Sequence, residues 1–591
     1  MCEVRGGLSP SSHLSFFPFT RRNVGITMGK AHITPSLGEG VEGPELSYAM
    51  NRKTESFMRG ALMLTLAALI SRLLGALYKP VIARIFAPYD GKLGAVGIGL
   101  TQVPLTTYQV ILSFTSVGLN IGISRLVAER MALGDVRGAK RVFRVSLLLM
   151  ASLGLAASLV MWFGAPWIAG FFSKSLAETV PGFRATAPAL FITSVMAAYR
   201  GLFQGFQRMT PNAVSQIVEQ VVRVGSGTVF TYLFVRQSVA LGAAGFNFGD
   251  VIGALAGLLY LLFLASRSRD DMWVVPADVQ EIRPRTPESS RRLIRRILAV
   301  ATPVAVSGAV VPLMMQADTF FVFRAFQAAG VPDVDAQAQY GLLTNAFMIA
   351  YLPAVFTAAI YTSILPAITR ALTLGQTDVA RKRARQAYRM TLLIAIPAQA
   401  GLYVLATGIY SLLFNDTSGG QVMAAISWAV GPIMLQQTTS GVQQGAGKVL
   451  QPLRNFLIGA VIKGVLTAWW TVPYGINGAA WATAVGFAVA ALLNVVNVEQ
   501  LLGRTLKTRS MVIKPAAAAL AMAGAIAVVR GPLGRWAPGG HLQTLVLIAV
   551  GGAAYGLALL AVGGVKLQDL ERLPGFGALL GALRGRRRVR G

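Results

Sequence analysis

Apolar stretches of about 20 residues recur along this chain, and that recurrence limits the fold more than any other feature, because it matches the length a helix needs to cross a hydrocarbon slab roughly 30 Å thick. About fourteen such stretches can be read, the first over residues 57–86 and the last over 542–563. Of the 591 residues, 54% are hydrophobic and only 13% are charged. An ordinary soluble domain carries about twice that charged fraction. The expected fold is therefore an all-α polytopic membrane protein, since backbone groups in lipid must bond within their own segment.

The placement of charge orients the chain. A net charge of +30 could signal nucleic-acid binding, but Lys and Arg collect in the connections after every even-numbered stretch and in the C-terminal tail. The opposite loops hold six: Lys92, Lys174, Arg184, Arg236, Arg530 and Arg535. Positive excess marks the cytoplasmic side, so both termini are expected there, at a bacterial-type plasma membrane. Membrane lipids then replace nucleic acid as the expected partner. The single cysteine, Cys2, excludes an internal disulfide, and His13, His32 and His541 are too scattered to suggest a metal site, so no cofactor is expected.

Composition divides the chain further. Residues 1–56 are polar and read as a disordered segment, with Met50 as an alternative start. Residues 57–265 form a first six-helix bundle, 266–296 a cytoplasmic linker of mixed sign, and 297–502 a second six-helix bundle. Two additional transmembrane helices occupy 503–565, and 566–591 form a basic tail. The second bundle repeats the first in letters: "VAERMALGDVRGAKRVFRVSLLL" aligns with "ITRALTLGQTDVARKRARQAYRMTLLI", matching Gly134 to Gly375. Likewise "GLFQGFQRMTP" aligns with "GVQQGAGKVLQP", pairing Gly201 with Gly441 and Gly205 with Gly445. Arg223 then falls opposite Lys463, and Arg84 opposite Arg324. Repeats of like topology are the plan of transporters whose substrate path runs between the halves.

Ionisable residues within the apolar stretches are costly, at roughly 2.5 to 3.5 kcal/mol near the bilayer centre, and they usually face a bundle interior or a pathway. The candidates for substrate binding are Arg72, Lys79, Arg84, Asp318 and Arg324; Glu219, Arg223, Asp250 and Lys463 are candidates for a coupling or structural ion pair. Arg72 and Lys79 are seven residues apart and share a helical face. Pro80 is expected to kink the helix after Lys79. Glu219 and Arg223, four apart, are expected to neutralise each other across one turn. Asp318 is expected to be free to meet the first helix. Arg84 and Arg324 lie near span ends, where long side chains also snorkel to the interface. A cation-lined cavity selects an anion, and an Arg with a Lys suits a phosphate or diphosphate.

The stretches "SRLLGALYKPVIARIF", "GISRLVAERMALGD" and "APWIAGFF", with the repeat, resemble the multidrug/oligosaccharidyl-lipid/polysaccharide exporter superfamily. Within it the resemblance is to the polysaccharide biosynthesis branch, the group of stage V sporulation protein B and MurJ-type lipid II flippases, over about 57–563. The resemblance implies a flippase that moves a polyprenyl-diphosphate-linked sugar from the inner to the outer leaflet by alternating access, for envelope or spore-wall synthesis. It also implies a cationic central cavity, with Arg72 as the arginine of the "SRxLG" element. An anionic lipid-linked sugar would be the cargo and cell-wall synthesis enzymes the protein partners. The chain departs from MurJ-type proteins at Tyr78 and Lys79, which stand where those continue with Arg-Asp, and its second span carries no arginine.

Two other functions compete. A cation-coupled multidrug antiporter of the same superfamily wants a net acidic pocket, which the first span does not offer. A membrane glycosyltransferase needs carboxylates at a roomy outer face, and the outer loops are short. "GVQQGAGKV" departs from a phosphate loop at its first Gly and at Val449, so neither ATP binding nor an enzymatic activity is expected.

Overall fold

The computed structural model describes residues 70–564 except 72–73, 76–77, 87–90, 173, 269–271, 275–287 and 537–539. Helix dominates the described residues, and no strand occurs among them. The first half comprises α1 (helical residues within 70–86), α2 (Gly91–Leu112), a π-helical turn (Ser113–Val117), α3 (Gly118–Ala132), α4 (Val136–Phe172), α5 (Val180–Gly205), α6 (Thr210–Phe234) and α7 (Val239–Arg267). The second half comprises α8 (Ser290–Ala328), α9 (Asp333–Tyr351), α10 (Ala354–Thr373), α11 (Thr377–Val404), α12 (Ala406–Phe414), α13 (Gly420–Ser427), α14 (Val430–Gly445), α15 (Leu450–Tyr474) and α16 (Ile476–Leu502). Two more helices follow, α17 (Lys514–Trp536) and α18 (His541–Ala561).

Among the described residues, 8 helices are long and apolar enough to cross a membrane, or 9 when α11 and α12, bent by 78°, count as one span. Several apolar stretches read as single spans are thus broken. The stretch over 340–366 divides at Leu352 and Pro353, where proline withdraws a backbone donor. Residues 78–86 are helical straight through Pro80. Large apolar side chains such as Phe163, Trp167, Trp469 and Leu520 face outward, as a lipid-solvated surface requires.

The recurrence seen in letters is also a recurrence of contacts. Gly134 and Gly375 both adopt left-handed φ, 68° and 70°, and each lies in the turn before a long helix with a basic first turn or two. Gly205 lets α5 approach α3, where an added Cβ would fall 2.8 Å from Val127 Cβ; Gly445 does the same for α14 against α10, 2.6 Å from the Leu365 carbonyl oxygen. Small residues at such crossings let membrane helices pack closely.

The two halves meet at both ends of the molecule. At the end where α2 and α9 begin, Lys92 pairs with Asp335, and a Cβ on Gly99 would fall 2.5 Å from the Gln337 carbonyl oxygen. At the end that carries the basic loops, α3 packs on α8. Arg130 there bridges Asp135 (2.9 Å) and Glu288 (2.5 Å), while Arg296 bridges Glu129 (2.8 Å) and Glu288 (3.3 Å). Between these contacts lies a cavity.

Candidate functional site

The cavity has a volume of about 470 Å³ and draws its walls from both halves: α1, α2 and α6 on one side, α8, α9 and α10 on the other. Among the described residues, two cations line it, Lys79 and Arg223. Lys79 is buried on α1 and its Nζ donates to the Thr344 carbonyl oxygen of α9 at 3.3 Å, a bond between the halves. Among the described residues no carboxylate lies within 4 Å of that ammonium. A cation so placed can attract an anion, and a low dielectric strengthens such attraction.

Arg223 comes from α6, and its Nε lies 2.7 Å from Asp250 Oδ1 of α7. Asp250 is the more deeply buried partner, and its second oxygen has no hydrogen-bond partner. Tyr78 reaches the same guanidinium from α1 and stacks on Phe246 with centroids 4.7 Å apart. The arginine thus presents one side to its carboxylate and another to the cavity. The rest of the polar lining is neutral: Gln102, Gln109, Gln220, Thr344 and Tyr351.

Other candidates lie elsewhere. Arg72 falls outside the described residues. Glu219 pairs with Arg200 of α5 at 2.7 Å and not with Arg223, so the expected pair across one helical turn is replaced by two pairs between helices. Asp318 is not free to meet the first helix: Lys463 of α15 holds it at 2.6 Å, in a pair almost sealed from solvent. Arg324 is exposed, donates to the Phe171 carbonyl oxygen at 2.9 Å and lies over the Phe320 ring, away from the cavity. Arg84 is exposed and does not line the cavity.

Sequence reasoning overlooked the glutamines and Arg200. The signal was present: Gln102 and Gln109 are seven apart inside an apolar stretch, which sets them on one face, and uncharged amides in lipid also need a buried partner or a cavity.

Residues 57–372 match the family described as polysaccharide biosynthesis protein. Stage V sporulation protein B of Bacillus subtilis (strain 168) is 29% identical over 536 residues, covering 89% of this chain and 99% of that protein. Lipid II flippase MurJ of the same organism is 25% identical over 549 residues, covering 88% of this chain and 98% of its own. Among solved structures, lipid II flippase MurJ in an inward closed conformation superimposes with a TM-score of 0.61 at 16% identity, covering 86% of this chain and all of that one. That likeness concerns the fold. The sequence relative named for an activity here is a flippase, in keeping with a transport protein that is not an enzyme. Over more than half its length the chain matches one family, and it belongs to the polysaccharide biosynthesis proteins of the multidrug/oligosaccharidyl-lipid/polysaccharide exporter superfamily.

Proposed function

We propose that this protein is a flippase for a polyprenyl-diphosphate-linked sugar, carried from the cytoplasmic to the outer leaflet for cell-envelope or spore-wall synthesis. The observation that carries the reading is Lys79, a buried ammonium with no carboxylate partner among the described residues, facing with Arg223 a cavity that both halves build. The guanidinium and the ammonium hold the diphosphate. Amides of Gln102, Gln109 and Gln220 suit the hydroxyl groups of a sugar, and the polyprenyl chain stays in lipid. Arg72, seven residues before Lys79, is assigned to the same cationic wall by its spacing.

Alternating access fits the two closures. Opening the ion-paired end, with its basic loops on the cytoplasmic side and both termini there, admits cargo; separating α2 from α9 releases it. An inside-negative potential favours outward movement of an anion by about 2.3 kcal/mol per charge per 100 mV. A cationic drug would meet two positive charges in this cavity, which disfavours antiport of such compounds. Cell-wall synthesis enzymes that use the flipped precursor are the expected partners.

The test is reconstitution in liposomes with a panel of polyprenyl-diphosphate sugars, following leaflet exchange with and without an imposed potential. Protein-dependent exchange of one or more of them is the expected result. Export of cationic dyes, with no exchange of any diphosphate-linked sugar, would overturn the reading.

A further inference from the structure

A second cationic pocket lies far from the central cavity, at the end that carries the basic loops. It has a volume of about 420 Å³ and is walled by the start of α11, the π-helical turn Arg509–Ile513 with the start of α17, and the end of α18. Its cations are Lys382, Arg385 and Arg389 on α11 and Lys507 and Lys514 on the α17 side. The spacing sets them on facing surfaces. On α11 the lining residues Lys382, Arg385, Gln386 and Arg389 follow the i, i+3, i+4, i+7 pattern of one helical face; Lys507, just before the π-helical turn, Ser510 and Met511 within it and Lys514 after it form the other wall.

Among the described residues, no carboxylate lines the pocket. Three of the cations hold backbone carbonyls: Arg385 Nη2 donates to the Arg504 carbonyl oxygen at 3.1 Å, Arg389 Nη2 to the Gly564 carbonyl oxygen at 3.0 Å and Lys514 Nζ to the Gly563 carbonyl oxygen at 2.9 Å. Arg385 Nε is buried with no hydrogen-bond partner among the described residues. Like charges crowded around so small a volume repel one another, and Arg385 Nε is a buried donor left unsatisfied; a multiply charged oxyanion relieves both costs.

We propose that this pocket binds a phosphate group, and that the phosphate belongs to the headgroup of an anionic lipid. The helices that frame the site favour a lipid over free phosphate. α17 and α18 present exposed Leu520, Val528 and Leu557 along their length, a surface on which acyl chains can lie while the headgroup sits among the cations at the helix ends. Both helices stand outside the six-helix repeat, so the site is an addition of the second half. The proposal is independent of the cargo.

The test is native mass spectrometry of the full-length protein titrated with phosphatidylglycerol, phosphatidylcholine and inorganic phosphate. Phosphatidylglycerol is expected to bind about tenfold more tightly than phosphatidylcholine. The variant K382Q/K507Q, which alters two exposed side chains, is expected to lose that preference while its melting temperature without lipid stays unchanged. The control R137Q/R144Q, two exposed arginines of α4, is expected to keep it. Inorganic phosphate binding as tightly as the lipid would overturn the lipid assignment. No preference for phosphatidylglycerol, or the same preference in K382Q/K507Q, would overturn the site.

Discussion

Arg223 and Lys463 hold the same place in the two halves, yet they take their carboxylates from opposite directions. A Cβ on Gly253 of α7 would fall 2.6 Å from Arg223 Cβ, and one on Gly486 of α16 would fall 2.7 Å from Lys463 Cβ, so each cation packs on the glycine of the last helix of its half. In the first half the carboxylate is Asp250, three residues before that glycine; in the second the corresponding position is Thr483. The second half draws its carboxylate instead from α8, where Asp318 stands six residues before Arg324, as Tyr78 stands six before Arg84. The consequence is an asymmetry of access. Lys463 is closed off at 2% exposure, whereas Arg223 keeps 19% and lines the cavity.

Installing the second-half arrangement in the first half tests that asymmetry. Tyr78→Asp gives Arg223 a second carboxylate and quenches the positive cavity without removing any cation. Transport is expected to fall at least about tenfold, in line with losing one charge-assisted contact, while Tyr78→Phe, which keeps the stack on Phe246, stays near the wild-type rate. Leaflet exchange in proteoliposomes checks both variants.

The Lys463 and Asp318 pair is expected to be structural. Lys463→Met leaves an uncompensated buried carboxylate and should cost about 3 to 5 kcal/mol, with most of that recovered in the double variant Lys463→Met/Asp318→Leu. Thermal unfolding of the purified protein measures the cycle. Equal stability of the single variant and the wild type would show that the pair is dispensable to the fold.

Close helix crossings carry a prediction of their own. Gly445→Val places a branched side chain against the Leu365 carbonyl of α10, and overpacking of this kind costs about 1 to 3 kcal/mol. Gly524→Val, at a position with nothing within 4 Å of the added Cβ, serves as the matched control and should lose less stability.

The ion pairs joining α3 to α8 are expected to hold the basic end shut. Arg130→Gln with Glu288→Gln removes most of the network; at about 0.2 to 1 kcal/mol per partly exposed pair, opening rises a few-fold. In a Cys2→Ser background, a cysteine at Gln109 in the cavity wall should then react faster with a water-soluble maleimide. An unchanged labelling rate would place the gate elsewhere.

Much of the architecture was legible because it rests on local signals. Apolar length, charge asymmetry between loops and the Gly134 and Gly375 turns are all written within a few residues of one another. The ion pairs were not, because a pair four apart on one helix competes with partners on neighbouring helices at the same depth. Glu219 found Arg200, 19 residues away, and Asp318 found Lys463, 145 residues away. The ends of spans were equally ambiguous: Arg84 and Arg324 carry the same letters as cavity cations, and only the three-dimensional placement separates exposed from lining residues. Lys79, singled out by the cost of its burial and its spacing from Arg72, does line the cavity.

Leaflet exchange by Lys79→Gln in proteoliposomes, with a polyprenyl-diphosphate sugar that the wild type moves, tests the central claim most directly. The substitution removes the ammonium that faces the cavity, with no carboxylate beside it among the described residues, while keeping a donor for the Thr344 carbonyl. The account predicts a loss of roughly tenfold to a hundredfold, as expected for a hydrogen bond to a charged group, at an unchanged melting temperature. A folded, inserted Lys79→Gln protein that flips its cargo at the wild-type rate would contradict it.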